Sequence, residues 1–429
     1  MKKHTQSPYE SSKVSYKPSG IEWLGEIPKH WEICKLNKIS YFINGYAFES
    51  SHFDYSFSIP VIRIGDIQND KIIYHTCLMT KEQENLKNFM IYRGDIVIAL
   101  SGATTGKFAV CNSNKKAYIN QRVAIIRSDI KILKYYLSTF GFVNYIDMLC
   151  NGSAQPNIST KEVGNFKIPL PPLQEQKEIA EFLDKKCEKI QNYIDKKQKL
   201  ITLLQEKKQA LINEVVTKGL NPNIEFKNSG IAYLGLIPHH WEVKKLKHIC
   251  KINPQANETL PNNFVYIDLE SVIKGQLLKE QVINKEQAPS RAQRILQKQD
   301  ILFQLVRPYQ RNNYIFNKNG DYVASTGYAQ IRTKECVNFV YYALLENSFV
   351  ERVILKSTGS NYPAITSNDF ADLKIPLPPL QEQKQIANFL DKKCEKINSV
   401  IEKTKKQIEL IKEYKNTLIN EAVCGRIDL

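Results

Sequence analysis

The chain has no apolar run of about 18 residues, the length a membrane helix needs. It therefore offers no segment to span a bilayer. It opens on two lysines but has no apolar stretch behind them. That is not the pattern of a secretory leader, and residues 1–18 read as a flexible N-terminal arm. The nine cysteines are scattered. None forms a C-x-x-C pair or sits near a histidine at zinc spacing, which argues for reduced thiols in a cytoplasmic protein and against a disulfide frame or a metal site.

Catalytic signatures are missing too. No G-x-S-x-G, no Rossmann glycine pattern and no Asn/Asp-Pro-Pro-Tyr/Phe motif of base methylation occurs. The stretch Gly102-Ala-Thr-Thr-Gly106-Lys107 has three residues between its glycines where a phosphate loop has four. Phe108 stands where Ser or Thr would hold magnesium. It reads as a tight loop with one exposed lysine. His239 and His240 are adjacent, and neighbouring side chains do not converge on one metal. No catalytic residue and no metal ligand is assigned. A long basic chain without an active site is a reader rather than an enzyme.

What is present is a globular composition, 42% hydrophobic and 24% charged, on 429 residues, enough for two or three domains. Net charge is +16. Residues 1–173 carry 21 basic and 14 acidic side chains, and 219–380 carry 19 and 14. The excess of +7 and +5 thus sits in two separate blocks, and nucleic acid is the commonest partner for such a balance.

The chain also repeats itself. IPLPPLQEQKEIAEFLDKKCEKI (168–190) returns at 375–397 with changes only at Glu178/Gln385 and Glu181/Asn388. SGIEWLGEIPKHWEICKLNKI (19–39) faces SGIAYLGLIPHHWEVKKLKHI (229–249), and GSAQPNIS (152–159) loosely matches GSNYPAIT (359–366). Between these frames the fillings diverge: RGDIVIALSGATTGK (93–107) faces KQDILFQLVRPYQRN (298–312), sharing little beyond Asp-Ile and an apolar pattern. One scaffold presenting two different surfaces is the implied design. Trp31 and Trp241, in repeated P-x-H-W-E contexts, read as core.

Pro171, Pro172, Pro378 and Pro379 suit helix entry, Glu175 and Glu382 suit the first turn, and Gly219 and Gly425 suit the position after the last turn. Each helix would run about 45 residues, or roughly 65 Å. The first offers a seam of Leu183, Cys187, Ile190, Ile194, Lys197, Ile201, Leu204, Lys208, Leu211 and Val215. The second offers Leu390, Cys394, Ile397, Ile401, Thr404, Ile408, Ile411, Lys415, Leu418 and Ala422. Eight of ten positions in each are apolar, a coiled-coil pattern. Pairing the two antiparallel within the chain gives a pseudo-two-fold repeat; a parallel pair between two chains is the alternative. Segments 59–67, 264–273, 94–100 and 299–306 read as strands, so each globule is mixed α/β and the whole is α+β.

Two copies of IPLPPLQEQ leading into long helices, each unit opened by P-x-H-W-E, resemble the specificity subunit of Type I restriction–modification systems over nearly the whole chain. The resemblance implies two target-recognition domains, 19–173 and 219–380. Two spacer helices would follow them, at 174–218 and within 381–429. Each domain would read one half of a bipartite asymmetric DNA target, and the helices would set the gap and dock two modification subunits. S-adenosylmethionine, ATP and magnesium would belong to those modification subunits and to the restriction subunits, with no cofactor on this chain. The other class of reading is a coiled-coil adaptor without nucleic acid. The SGATTGK stretch resembles a motif of the family's recognition domains, and the second unit departs from it with LVRPYQR (305–311). DNA contacts are expected from Ser101, Thr104, Thr105, Lys107, Gln121, Arg122, Asn151 and Gln155 in the first unit. In the second they are expected from Arg307, Tyr309, Gln310, Arg311, Asn361 and Tyr362. Arg and Gln suit base edges; Ser, Thr and Lys suit phosphates.

Overall fold

A computed structural model describes residues 15–68, 70–151, 155–255 and 259–427. The chain falls into two compact units. The first holds the residues up to Lys196 together with those from Lys406 onward; the second is Lys197–Lys405.

The two units are built on one plan. In the first, a four-stranded antiparallel sheet runs in the order Phe108–Val110, Ile96–Ala99, Val123–Arg127, Tyr41–Asn44. The second repeats it as Tyr314–Ile315, Ile301–Gln304, Tyr328–Thr333, Cys250–Ile252. Each unit has a second sheet, three-stranded in the first and four-stranded in the second, with one parallel pairing at the same place, Val61 with Tyr118 and Val265 with Tyr322. The segments IPVI and ILFQ are buried at every residue, so they read as apolar runs rather than alternations. The strands expected in 59–67, 264–273, 94–100 and 299–306 are present at Ile59–Ile62, Asn263–Ile267, Ile96–Ala99 and Ile301–Gln304.

The arm expected over 1–18 is corrected at its end. Residues 1–14 lie outside the described residues, but Tyr16–Pro18 is a strand paired with Glu26–Pro28. Tyr16 donates its hydroxyl to the Gly425 carbonyl at 2.9 Å. That tie, between residues far apart in sequence, is invisible to local composition.

The long helices are Leu173–Lys218, 46 residues, and Leu380–Val423, 44 residues. Each starts directly after its proline pair. The Gln176 side chain donates to the Pro171 carbonyl at 2.7 Å and Gln383 to Pro378 at 2.9 Å, which fixes the entry. Each ends at a glycine in the left-handed region, Gly219 at φ 76° and Gly425 at φ 70°. Each unit contains the start of one helix and the end of the other, running antiparallel. In the second unit Lys208 donates to Asn398 at 3.0 Å, and Gly219 lies against Glu382 and Trp241. In the first, Lys415 lies beside Cys187, and Gly425 lies against Trp31 and Pro28. All the seam positions are buried or half-buried. Leu183, Ile190, Ile194, Ile201, Leu390, Ile401, Ile408 and Leu418 are buried; Leu204, Leu211, Ile397 and Ile411 are half-buried.

Candidate nucleic-acid interface

The site begins with the frame that holds it. Trp31, buried, donates its indole N–H to Glu175 at 2.8 Å, and His30 meets the same carboxylate at 2.7 Å. Trp241 and His240 treat Glu382 alike, at 3.1 and 2.7 Å. The repeated letters of P-x-H-W-E and LPPLQEQ are therefore two halves of one contact. They lock the opening of each unit to the first turn of its long helix. Antiparallel ladders join the same segments: Glu32–Lys35 with Lys167–Leu170, and Glu242–Lys245 with Lys374–Leu377.

A second repeated contact supports the central sheet. Arg127 grips Asp95 through two hydrogen bonds of 2.8 and 2.7 Å, and Arg332 grips Asp300 through two of 2.8 Å. Both carboxylates are buried. In both units this bonding to the aspartate holds the guanidinium above its ordinary range. The Asp-Ile shared by the diverged middles is the visible half of this pair; its arginine recurs 32 residues later in both units.

From the strand that follows that aspartate emerges the loop of interest. In the first unit it is 101–107. Three segments meet there: Leu100 N–H donates to the Arg122 carbonyl at 2.9 Å, Gly102 N–H to the Pro156 carbonyl at 2.8 Å, and Ile158 N–H to the Leu100 carbonyl at 2.8 Å. The structure thus gathers Ser101, Thr104, Thr105, Lys107, Gln121, Arg122 and Gln155 into one surface, with Lys107, Gln121, Arg122 and Gln155 exposed. Thr105 is engaged internally, donating to the carbonyls of Gly102 and Pro156 at 2.7 and 3.2 Å. The hydroxyls of Ser101 and Thr104 are shielded from solvent without a partner among the described residues. Ordinary cores avoid such groups; functional loops tolerate them. Asn151 is exposed at the end of the helix Phe140–Cys150, which contacts this loop where Ile146 abuts Gly106.

The second unit keeps the three anchoring bonds and changes the side chains. Leu305 N–H donates to the Gly327 carbonyl at 2.9 Å, Arg307 N–H to the Pro363 carbonyl at 2.7 Å, and Ile365 N–H to the Leu305 carbonyl at 3.2 Å. By these bonds Arg307 occupies the place of Gly102, Arg311 that of Gly106, and Tyr362 that of Gln155. Gly102 and Gly106 have φ of 76° and 81°, and Arg307 and Arg311 follow with 55° and 56°. Asn312, not a lysine, stands at the position of Lys107. Left-handed backbone in two non-glycine residues is uncommon and is held only by surrounding structure.

Within this loop the expected residues play different parts. Tyr309 and Tyr362 stand out, 52% and 64% exposed, and Asn361 is exposed beside Tyr362. The Arg307 guanidinium lies 4.2 Å over the Tyr362 ring. Gln310 accepts from the buried Gln304 at 2.8 Å. Arg311 is turned inward, bonding Asn347 at 2.7 Å, and burial pushes its guanidinium down from its ordinary value. It braces the loop rather than projecting from it.

Among the described residues no group of three or more histidine, cysteine, aspartate or glutamate side chains could hold a metal, and no helix is long and apolar enough to cross a membrane.

Two basic units, each presenting a different side-chain set on one loop scaffold, define a DNA-reading protein. The chain belongs to the Type I restriction modification DNA specificity family, whose model matches residues 28–204 and again 238–410. It is 28% identical over 422 residues to the putative type I restriction enzyme MjaX specificity subunit of Methanocaldococcus jannaschii, covering 94% of this chain and 95% of that one. It is 26% identical over 363 residues to the MjaVIII specificity subunit of the same organism, covering 80% and 81%. Its fold resembles a chain solved in work on complex assembly and conformational transition of the type I R-M system, with TM-score 0.67, 17% identity, and 94% and 99% covered. The protein is the DNA-recognition subunit of a type I restriction–modification system. Two specificity-domain matches disfavour the adaptor without nucleic acid.

Proposed function

We propose that the chain reads a bipartite, asymmetric DNA target, one half-site per unit, and contributes no chemistry itself. One observation carries this reading: the loops 101–107 and 306–312 are anchored by three matching backbone hydrogen bonds and share two left-handed positions, yet share almost no side chains. A scaffold kept while its reading surface changes suits two different half-sites. A symmetric dimer would instead read a palindrome. Lys107, Gln121, Arg122, Asn151 and Gln155 in one unit, and Arg307, Tyr309, Asn361 and Tyr362 in the other, face the DNA. Ser101, Thr104, Thr105, Gln310 and Arg311 shape the loops beneath them.

The long helices set the gap between half-sites and dock two modification subunits, which would bind S-adenosylmethionine and methylate adenine. Restriction subunits using ATP and magnesium would complete the complex in the cytoplasm. Co-expression with a cognate modification methyltransferase tests the proposal. The two should co-purify and protect a split motif, with DNA affinity falling steeply as salt rises. Binding that is indifferent to sequence in the presence of the methyltransferase would contradict it.

A further inference from the structure

The loop of the second unit contains a feature without counterpart in the first. Arg307 adopts a left-handed backbone, φ 55°, at the position filled in the first unit by Gly102, φ 76°. Nothing in the frame requires a side chain there, since glycine makes the same hydrogen bond to the equivalent proline carbonyl. An arginine that tolerates backbone strain at a site where glycine suffices has a use for its side chain. That side chain is half-buried, and the central carbon of its guanidinium lies 4.2 Å from the centre of the Tyr362 ring. It makes no hydrogen bond or ion pair with another described residue. A cation–ring contact this close restrains the guanidinium on the tyrosine and leaves its N–H donors unused.

We infer that Arg307, held on Tyr362, reads a guanine in the half-site of the second unit. The inference rests on the half-site reading above and names one base within it. Two parallel N–H donors on a restrained guanidinium match the O6 and N7 acceptors of guanine in the major groove, and adenine offers a donor where the second acceptor should be. A phosphate contact would need no such plate, because a flexible arginine or lysine reaches the backbone from many angles. The first unit, with Gly102 and Gln155 at the two positions, lacks the device. Its half-site draws no guanine contact from this place.

The variant Arg307→Gly separates reading from folding. Glycine relieves the left-handed strain, so the variant melts no lower than the parent. The full chain, co-expressed with its methyltransferase partner, is scored by mapping methylated sites. In the parent, the half-site unaffected by exchange of the first unit contains a G·C pair at a fixed position. In Arg307→Gly that one position becomes degenerate, with discrimination falling roughly tenfold to a hundredfold, while the other half-site and the gap stay unchanged. Tyr362→Phe, which keeps the plate, retains the guanine; Tyr362→Ala weakens it. An unaltered motif in Arg307→Gly overturns the inference. So does uniform loss of methylation at all sites, which would mark a phosphate contact, or a half-site without a G·C pair. Absence of any split motif in the parent would instead overturn the half-site reading itself.

Discussion

Trp31 donates its indole N–H to Glu175 at 2.8 Å across 144 residues of sequence. The indole is 2% exposed, so this carboxylate is the partner that satisfies it away from water. Glu175→Ala leaves the donor unpaired and should cost about 1–3 kcal/mol. Glu175→Gln, which keeps an acceptor, should lose less. Thermal melting of the two variants checks this; equal melting of Glu175→Ala and the parent would show that the contact does not hold the unit together.

Gly106 has φ 81°, and a Cβ there would meet Ile146 Cγ2 at 2.7 Å. Gly106→Ala therefore combines backbone strain with a clash. It should destabilise the first unit by about 1–3 kcal/mol and weaken reading of one half-site. Arg311→Gly at the equivalent place should relieve strain but free the loop from Asn347. It should change affinity for the other half-site more than melting. Melting curves and binding to duplexes with each half-site randomised separate the two effects.

Burial pushes the thiols of Cys250 and Cys424 up to about 11 and that of Cys77 to about 12. The thiolate is the reactive form, so at pH 8 Cys250 and Cys424 should alkylate on the order of a hundredfold more slowly than a free cysteine and Cys77 on the order of a thousandfold more slowly, before any loss of access. Raising the pH toward 11 should speed labelling, and denaturant should abolish the protection. Mass spectrometry after timed iodoacetamide treatment reads this directly.

The proposed role of the helices in setting the gap has a direct test. Inserting seven residues after Lys197 and seven after Thr404 keeps the heptad phase and adds about 10 Å to each helix. The gap in the methylated motif should widen by about three base pairs. An unchanged gap would remove the helices from that role.

What the sequence showed and hid follows from where side chains carry the information. The frame was legible because its contacts reuse the same letters: His, Trp and Glu at the helix entry, Gln after the proline pair, and a heptad seam. The equivalence of the reading loops was not. Left-handed backbone is usually signalled by glycine, and Arg307 and Arg311 adopt it without one. Only backbone hydrogen bonds, which leave no residue signature, reveal that LVRPYQR and LSGATTG are anchored alike. The strand at Tyr16–Pro18 was hidden for a related reason: its tie is to Gly425, at the other end of the chain. Sequence distance also concealed that Arg311 turns inward to Asn347.

The most direct test exchanges residues 40–167 for the equivalent segment of another family member and maps methylation in cells holding the partner methyltransferase. One half-site should change completely while the other half-site and the gap remain. Changes in both halves, or in neither, would contradict the account of two independent readers on one repeated scaffold.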